Sequence, residues 1–511
     1  MLGWLLTVPL AFLRWTLSPV PLAVSVVLLV RAYRWFTKDF DFWTSRDVPG
    51  PPPRLPWGVK GGLAPPDLFW VDFSLYNEHS DRRYFGMFEL NRPVLFVRDL
   101  DLIRAITIKD FDHFVDRREG LGVELFKGSL VFMKGTEWKE TRSVLTPIFS
   151  SGKLKAMHQM MLDNAQNLVR YVKTQMGEAG MVEVKDAFGR FTIDNIAACA
   201  FGSYCNSFAD PHCPFAENMA NLLGVRLLRL ARAWAQTFLP HAIAKWVPDL
   251  TAKPSAFFEE LVLKQIARRA EKPASTRDFL QLLIDATDKS GRRVLSDDSV
   301  VKQSAMFVVA GFDTSATLMT FAAYCLALDQ DVQQRLQQEV DEVLARHGGL
   351  TYESVQDMPY LDRVVSETLR LYPPATRLER VCTRDYTLPG TDAHIPVGTL
   401  VFIPVFATHR NPELYPEPLK FDPDRFLPEQ KEQRHPCAYI PFGSGPRNCI
   451  AMRFALFEAK LALVSLLREM TLKPTPQTPP HPAPLDPNTF LTTPKDKKMP
   501  LRVVPRQTAG M

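Results

Sequence analysis

The chain has 511 residues, 46% hydrophobic and 23% charged, a balance that excludes an unstructured or fibrous chain and fits a globular protein with a large core. Its net charge of +5 comes without a long basic block or an internal repeat, so nothing points to nucleic acid. Seven cysteines, an odd number with no Cys-x-x-Cys, argue against a disulfide scaffold or zinc cluster and for a reducing compartment in which most thiols are buried and inert.

From Leu2 to Val30 only Arg14 is charged. About 21 residues counted from Leu10 are enough to span a bilayer if Arg14 reaches one interface. Arg31, Arg34 and Lys38 follow at once, so the positive-inside rule predicts that the rest of the chain is cytosolic. No small-residue cleavage pattern is visible, which favours an uncleaved, single-pass anchor over residues 1–38; the alternative is a buried N-terminal helix. A Pro-rich spacer is expected over 39–60, because proline fixes φ and makes VPGPPPRLPWG (48–58) stiff. Residues 61–511 read as one folded body.

Within that body, residues 84–108 hold short β-like runs such as RPVLFVRD. From about 137 to 370 the pattern is mainly helical, and Val300–Leu328 predicts one long helix buried on most sides. The stretch AWAQTFLPHAIAKWV (233–247), with Trp234 and Trp246 near its ends, reads either as a segment dipping into a membrane interface or as an ordinary helix–loop–helix. Residues 371–448 are Pro-rich with short strands such as TLVFIP (399–404). Ile450, Phe454, Phe457, Leu461, Val464 and Leu467 recur at spacings of three and four, which predicts an amphipathic helix. A Pro-rich loop (474–487) and a β-like end near 501–504 follow. The fold class is mainly α with a minor β portion (α+β).

One cysteine stands apart. Cys449 lies between a Gly-rich turn and the last helical pattern, in PFGSGPRNCI. Unpaired N–H groups and the positive helix end favour a thiolate there, and Arg447 adds a fixed charge. Gly443 and Gly445 let the backbone turn tightly and pass close to something flat. By residue type and spacing, three readings stand: an inert buried thiol, a catalytic nucleophile, or a metal-ligand thiolate with an open coordination position.

The full string Phe442-x-x-Gly445-x-Arg447-x-Cys449 resembles the haem-binding signature of the cytochrome P450 superfamily. The resemblance implies that Cys449 is the proximal thiolate ligand of haem iron, pushing electron density that promotes O–O cleavage. The family usually has Gly two residues after that cysteine; here it is Ala451, whose methyl would crowd the helix against the porphyrin. Ala310-Gly311-Phe312-Asp313-Thr314-Ser315 resembles the family's oxygen-activating segment. Ala310 and Thr314 share a helix face, Gly311 would leave room over the iron, and the resemblance implies proton delivery by Thr314 and Asp313.

Further stretches agree. Glu367 and Arg370 stand at i, i+3 in SETLRLYPP, a spacing that a solvated surface pair would also show; the family's Glu-x-x-Arg pattern with a later arginine, Arg425 of PDRF, implies a buried structural network. Trp138 and Arg142 in EWKETR resemble the family's Trp-x-x-x-Arg. With Arg117, Arg380 and Arg447 they are implied partners of the two haem propionates, for which several charge-assisted bonds are the expected answer. SSGKLKAM, RLERVC and PFGSGPRNC resemble the microsomal clan of vertebrate family-three and insect detoxification enzymes.

By the same resemblance Val309, Ala310, Ala375, Thr376, Val131, Phe132 and Phe490 line a pocket for a lipophilic substrate, although each is also a plausible core residue. Without a flavin or nicotinamide fingerprint, electrons come from outside. The implied partners are NADPH–cytochrome P450 reductase and cytochrome b5, docking on a positive face around Lys139, Lys153 and Lys155. The expectation is a haem-dependent monooxygenase of the endoplasmic reticulum membrane that oxidises xenobiotics, steroids or fatty acids and contacts membrane lipid. Two rivals are a haem-thiolate isomerase that rearranges peroxides, against which the Asp313–Thr314 pair speaks, and a non-catalytic haem or ligand-binding protein.

Overall fold

A computed structural model describes residues 19–59, 68–118, 124–202, 205–210, 213–223, 251–271, 278–287, 293–487, 489 and 491–506. The described chain is mainly α with a minor β portion.

Helix α1 (Pro19–Thr37) covers the second half of the expected anchor, whose first 18 residues lie outside the described residues. Several of its apolar side chains are uncovered: Val24, Val27 and Leu29 are more than half exposed, and such surface favours burial against something apolar. Among the described residues, the one helix long and apolar enough to cross a bilayer is Asp297–Leu328, most of which is buried inside the protein. The start of the Pro-rich run is tied to the folded body. Trp43 and Val48 are buried, the Trp43 indole N–H donates to Met87 O at 2.9 Å, and Gly86 N–H donates to Pro49 O at 2.8 Å. A Cβ on Gly86 would come within 2.3 Å of the Trp43 ring, so glycine is what lets the indole lie on the strand.

Helix α2 (Leu68–Glu78) precedes β1 (Tyr84–Glu89) and β2 (Arg92–Val97). The helical body then runs through α3 (Gly135–Leu145), α4 (Ser151–Gln175), strand β3 (Met181–Glu183), α5 (Val184–Phe201), α6 (Pro214–Leu223), α7 (Ala252–Glu271), α8 (Asp297–Leu328), α9 (Gln330–His347) and α10 (Pro359–Leu371). Strands β4 (Leu378–Val381) and β5 (Leu400–Ile403), helix α11 (Met452–Leu467) and strands β6 (Met470–Lys473) and β7 (Pro500–Pro505) complete it. One sheet has the order β1-β2-β5-β4, with β5 parallel to β2 (Leu95 opposite Val401) and antiparallel to β4 (Arg380 opposite Val401). A second has the order β3-β7-β6.

Helix α8 is the axis. Ser296 caps it by accepting from Ser299 N–H at 3.1 Å, and Asp297 and Asp298 complement its positive end. It packs on α5, α7, α10 and α11, and every residue from Ser315 to Ala327 is buried. Gly311 serves this packing. A Cβ there would stand 3.2 Å from Ile196 Cδ1 of α5, so the missing side chain lets the neighbouring helix approach closely.

Two further expectations change. Helix α11 is not amphipathic: Phe457 to Leu467 are all buried, including Glu458, Lys460 and Ser465. Its polar positions face other protein groups; Lys460, for one, pairs with Asp362. Cys205 and Cys213 are joined as a disulfide eight residues apart, ahead of α6. Cys199, Cys325, Cys382 and Cys437 are free and buried. The 233–247 stretch lies outside the described residues.

Candidate active site

Cys449 lies three residues before α11, in a loop set by its glycines. Gly443 (φ 79°) and Gly445 (φ 71°) occupy the left-handed region. At Gly445 a Cβ would come 1.7 Å from Thr107 O, so the loop presses directly on backbone. Cys449 N–H donates to Phe442 O at 2.8 Å. Phe442 itself is half-buried against the core. Arg447 fastens the loop: its Nε donates to Val115 O at 2.8 Å, Nη1 to Leu130 O at 3.2 Å and Nη2 to Met133 O at 2.6 Å. Its guanidinium lies 4.2 Å from the centre of the buried Trp138 ring.

Cys449 is the exposed one among the free cysteines. Burial nonetheless pushes its thiol up, against the Ala451 N–H, Arg142 and Arg117, which pull it down. Ala451 has φ −93°, so its backbone conformation needs no glycine, and it packs beside Ile450 and Phe454.

Arginines outnumber carboxylates around the loop, where Asp116 and Glu379 are the acidic neighbours. Arg117 Nη2 donates to Arg447 O at 3.0 Å, and Arg142 grips Asn448 through its carbonyl and side-chain oxygens, both at 2.9 Å. Asn448, inside the signature string, is a partner that the sequence reading passes over. Arg380 is fully buried on β4. Nη1 donates to Glu379 O at 2.8 Å, while Nε and Nη2 meet no partner. Burial, then Arg117 and Arg447, drive its pKa well down; burial and Arg117 likewise take Arg447 down to about 9. Among the described residues no carboxylate pairs with Arg117, Arg142 or Arg380, and Asp116 reaches Arg447 only at 4.0 Å. With Arg380 and Arg447 buried and Arg117 and Arg142 part-buried, such a group of cations is costly until an anion joins it.

Helix α8 has a window in its middle. Ala310 is exposed and Val309 and residues 311–314 are part-exposed, between buried stretches on both sides. Val309 and Phe312 pack on the same core cluster as Ile450, Ala451 and Phe454. Thr314 Oγ1 donates to Ala310 O at 2.6 Å. The Asp313 carboxylate pairs with Lys185 Nζ at 3.0 Å, a partner 128 residues away that no local pattern announces.

Glu367 and Arg370 are fully buried and bidentate, at 2.7 and 2.8 Å. Arg370 also donates to His409 O and Pro418 O, both at 2.8 Å, and to Lys420 O at 3.2 Å. Asp422 N–H donates to Glu367 Oε1 at 3.0 Å, and Arg425 Nε approaches the same oxygen at 3.5 Å.

Of the expected pocket residues, Val131, Phe132 and Ala375 are part-exposed and Thr376 is buried. Leu491 bridges Ala375, and Thr492 N–H donates to Pro374 O at 3.0 Å, which pins the last loop beside 373–375. Phe490 lies outside the described residues. Lys139 is exposed, Lys153 is half-buried, and Lys155 pairs with Glu353.

Comparison with known proteins gives one family. The cytochrome P450 family model matches residues 49–501. Among similar proteins, a probable cytochrome P450 6a13 of Drosophila melanogaster is 39% identical over 471 residues, covering 91% of this chain and 94% of the relative. Cytochrome P450 9e2 of Blattella germanica is 37% identical over 497 residues (89% and 92%), and cytochrome P450 3A13 of Mus musculus 37% over 466 (89% and 91%). The family binds haem through a cysteine thiolate. The residues present fit that group: an accessible thiol, and beside it buried arginine nitrogens that lack an anion. With the match spanning nearly the whole body, the chain belongs to the cytochrome P450 family of haem-binding monooxygenases.

Proposed function

We propose that this monooxygenase inserts one oxygen atom from O₂ into lipophilic small molecules (xenobiotics, steroids or fatty acids), with Cys449 as the thiolate ligand. Electrons would come from NADPH through a membrane flavoprotein reductase, with cytochrome b5 as a further donor. The observation that carries the reading is the exposed Cys449 flanked by anion-deficient arginines, with the open window of α8 bordering the same core cluster.

When bound, thiolate-ligated haem supplies the activation of dioxygen. The chain's own residues bind and orient it. Arg380, with two free nitrogens, takes one propionate; Arg117, Arg142, Arg447 and the Trp138 indole take the rest, and Arg447 also holds the loop that presents Cys449. Thr314 holds its proton on Ala310 O at rest and can turn it toward the cleft. Asp313 passes protons from outside to Thr314 and is held by Lys185. Val131, Phe132, Val309, Ala310, Ala375, Thr376 and Phe490 surround an apolar substrate and exclude water. Residues 1–38 anchor the chain in the endoplasmic reticulum membrane and leave 61–511 cytosolic; the uncovered apolar side chains of α1 support this.

The test is turnover of an alkyl aryl ether with purified reductase under isotopically labelled dioxygen. Labelled product that strictly requires NADPH is expected. Rearrangement of an added peroxide, with no requirement for NADPH, would overturn the reading.

A further inference from the structure

His409 joins the buried Glu367–Arg370 pair to the cysteine loop. It caps the short helix Val405–Thr408 and is fully buried. Its carbonyl accepts from Arg370 Nη1 at 2.8 Å. Its ring Nε2 accepts from the Ile440 N–H at 3.0 Å, and the ring stacks on Tyr439 at 5.4 Å and 26°. Nδ1, which no acceptor meets at hydrogen-bond distance, faces the backbone of Leu369 and Arg370 at the end of α10.

An acceptor role at Nε2 fixes the tautomer, with the proton on Nδ1. Burial takes the ring's pKa down to about 3, so it stays neutral and its lone pair stays available. Ile440 opens the cysteine loop: its carbonyl accepts from Gly443 N–H at 2.9 Å, and two residues on Phe442 O accepts from Cys449 N–H at 2.8 Å. The Ile440 N–H is outside any helix or strand ladder, and His409 is the partner that satisfies it.

We infer that His409 is a positioning residue for Cys449: through its carbonyl it is fastened to the buried ion pair, and through Nε2 it fixes the start of the cysteine loop and so the place of the sulfur. This rests on Cys449 being the iron ligand.

The test uses the full-length, haem-loaded chain and two readouts: hydrogen exchange of peptides covering 439–443, and persistence of the red-shifted Soret band of the reduced, carbon-monoxide-bound form. His409→Phe keeps an aromatic ring against Tyr439 and removes the acceptor. It is expected to exchange about tenfold faster at Ile440 and to lose the band faster than the parent. His409→Gln places an amide oxygen near the Nε2 position and is expected to restore both readouts to within about twofold. Tyr439→Phe is the control, since it removes a hydrogen bond to Ser366 O (3.0 Å) from the same segment without touching Ile440. If the Phe chain does not accumulate, His409→Ala is compared with Gln instead. Unchanged exchange and band in the acceptor-free chain, failure of Gln to restore them, or equal band loss in Tyr439→Phe would each overturn the inference. A parent without the band would sink the Cys449 reading instead.

Discussion

The carboxylate of Asp313 stands 3.0 Å from the ammonium of Lys185 and ties the exposed window of α8 to the first turn of α5. The pair is part-buried, so its stabilisation is modest. Lys185→Met is expected to cost about 1 kcal/mol in urea unfolding. Asp313→Asn is expected to lower product formation about 10²-fold if the carboxylate moves protons, with NADPH consumption falling less. Equal, small losses in both variants would contradict that role.

Arg380 predicts opposite signs for two measurements. Two of its nitrogens are buried without partners, and Arg117 and Arg447 repel it. Arg380→Met is expected to stabilise the haem-free chain by about 1–3 kcal/mol, by analogy with apolar replacement of buried charge. The same change should weaken haem retention at least about tenfold, measured as transfer to a haem-scavenging globin. Loss of stability in the haem-free chain would show that the charge is satisfied by other means.

Glu458 is fully buried on α11, with one oxygen accepting from Asn195 Nδ2 at 3.0 Å and the Ser315 hydroxyl beside the carboxyl. Burial pushes its pKa from the ordinary 4.5 up to about 7. A raised acid pKa means that the native state binds the proton more tightly. Stability is therefore highest below about pH 4.5 for this group, falls between about 4.5 and 7, and stays lower above, by about 3 kcal/mol in all. Glu458→Gln removes the titration, so thermal unfolding should find it more stable than the parent near pH 8 and nearly level near pH 5. An unchanged slope between those values would contradict the assignment.

Breaking the Glu367–Arg370 pair leaves a charge in the core. Arg370→Met is expected to cost about 3–5 kcal/mol, whereas the double change with Glu367→Met should cost less than the single one. Chemical unfolding of the three chains gives the comparison. A double variant worse than the sum of the singles would contradict mutual pairing.

Much of this was legible because the chemistry is local. The PFGSGPRNCI string carries its glycines, arginine and cysteine within ten residues, and α8 declares itself by an apolar run. What escaped is long-range. The three-and-four spacing of α11 finds its apolar side but does not say whether Glu458 and Lys460 face water or protein; they face protein. The closeness of Gly311 to Ile196 of α5 joins two helices far apart in the sequence and is not readable from the AGFDTS string alone. The part-buried cluster of Arg377 with Asp72 and Glu89, and of Arg118 with Glu89 and Glu379, joins residues up to 305 apart. The link from His409 to Ile440 spans 31 residues between two irregular segments, where no periodicity exists to read.

The most direct measurement is the absorption spectrum of the purified, reduced, carbon-monoxide-bound protein beside its Cys449→His variant. A strongly red-shifted Soret band in the parent, absent from the variant, is predicted. A band that survives the substitution, or a parent that never shows one, would contradict ligation by Cys449.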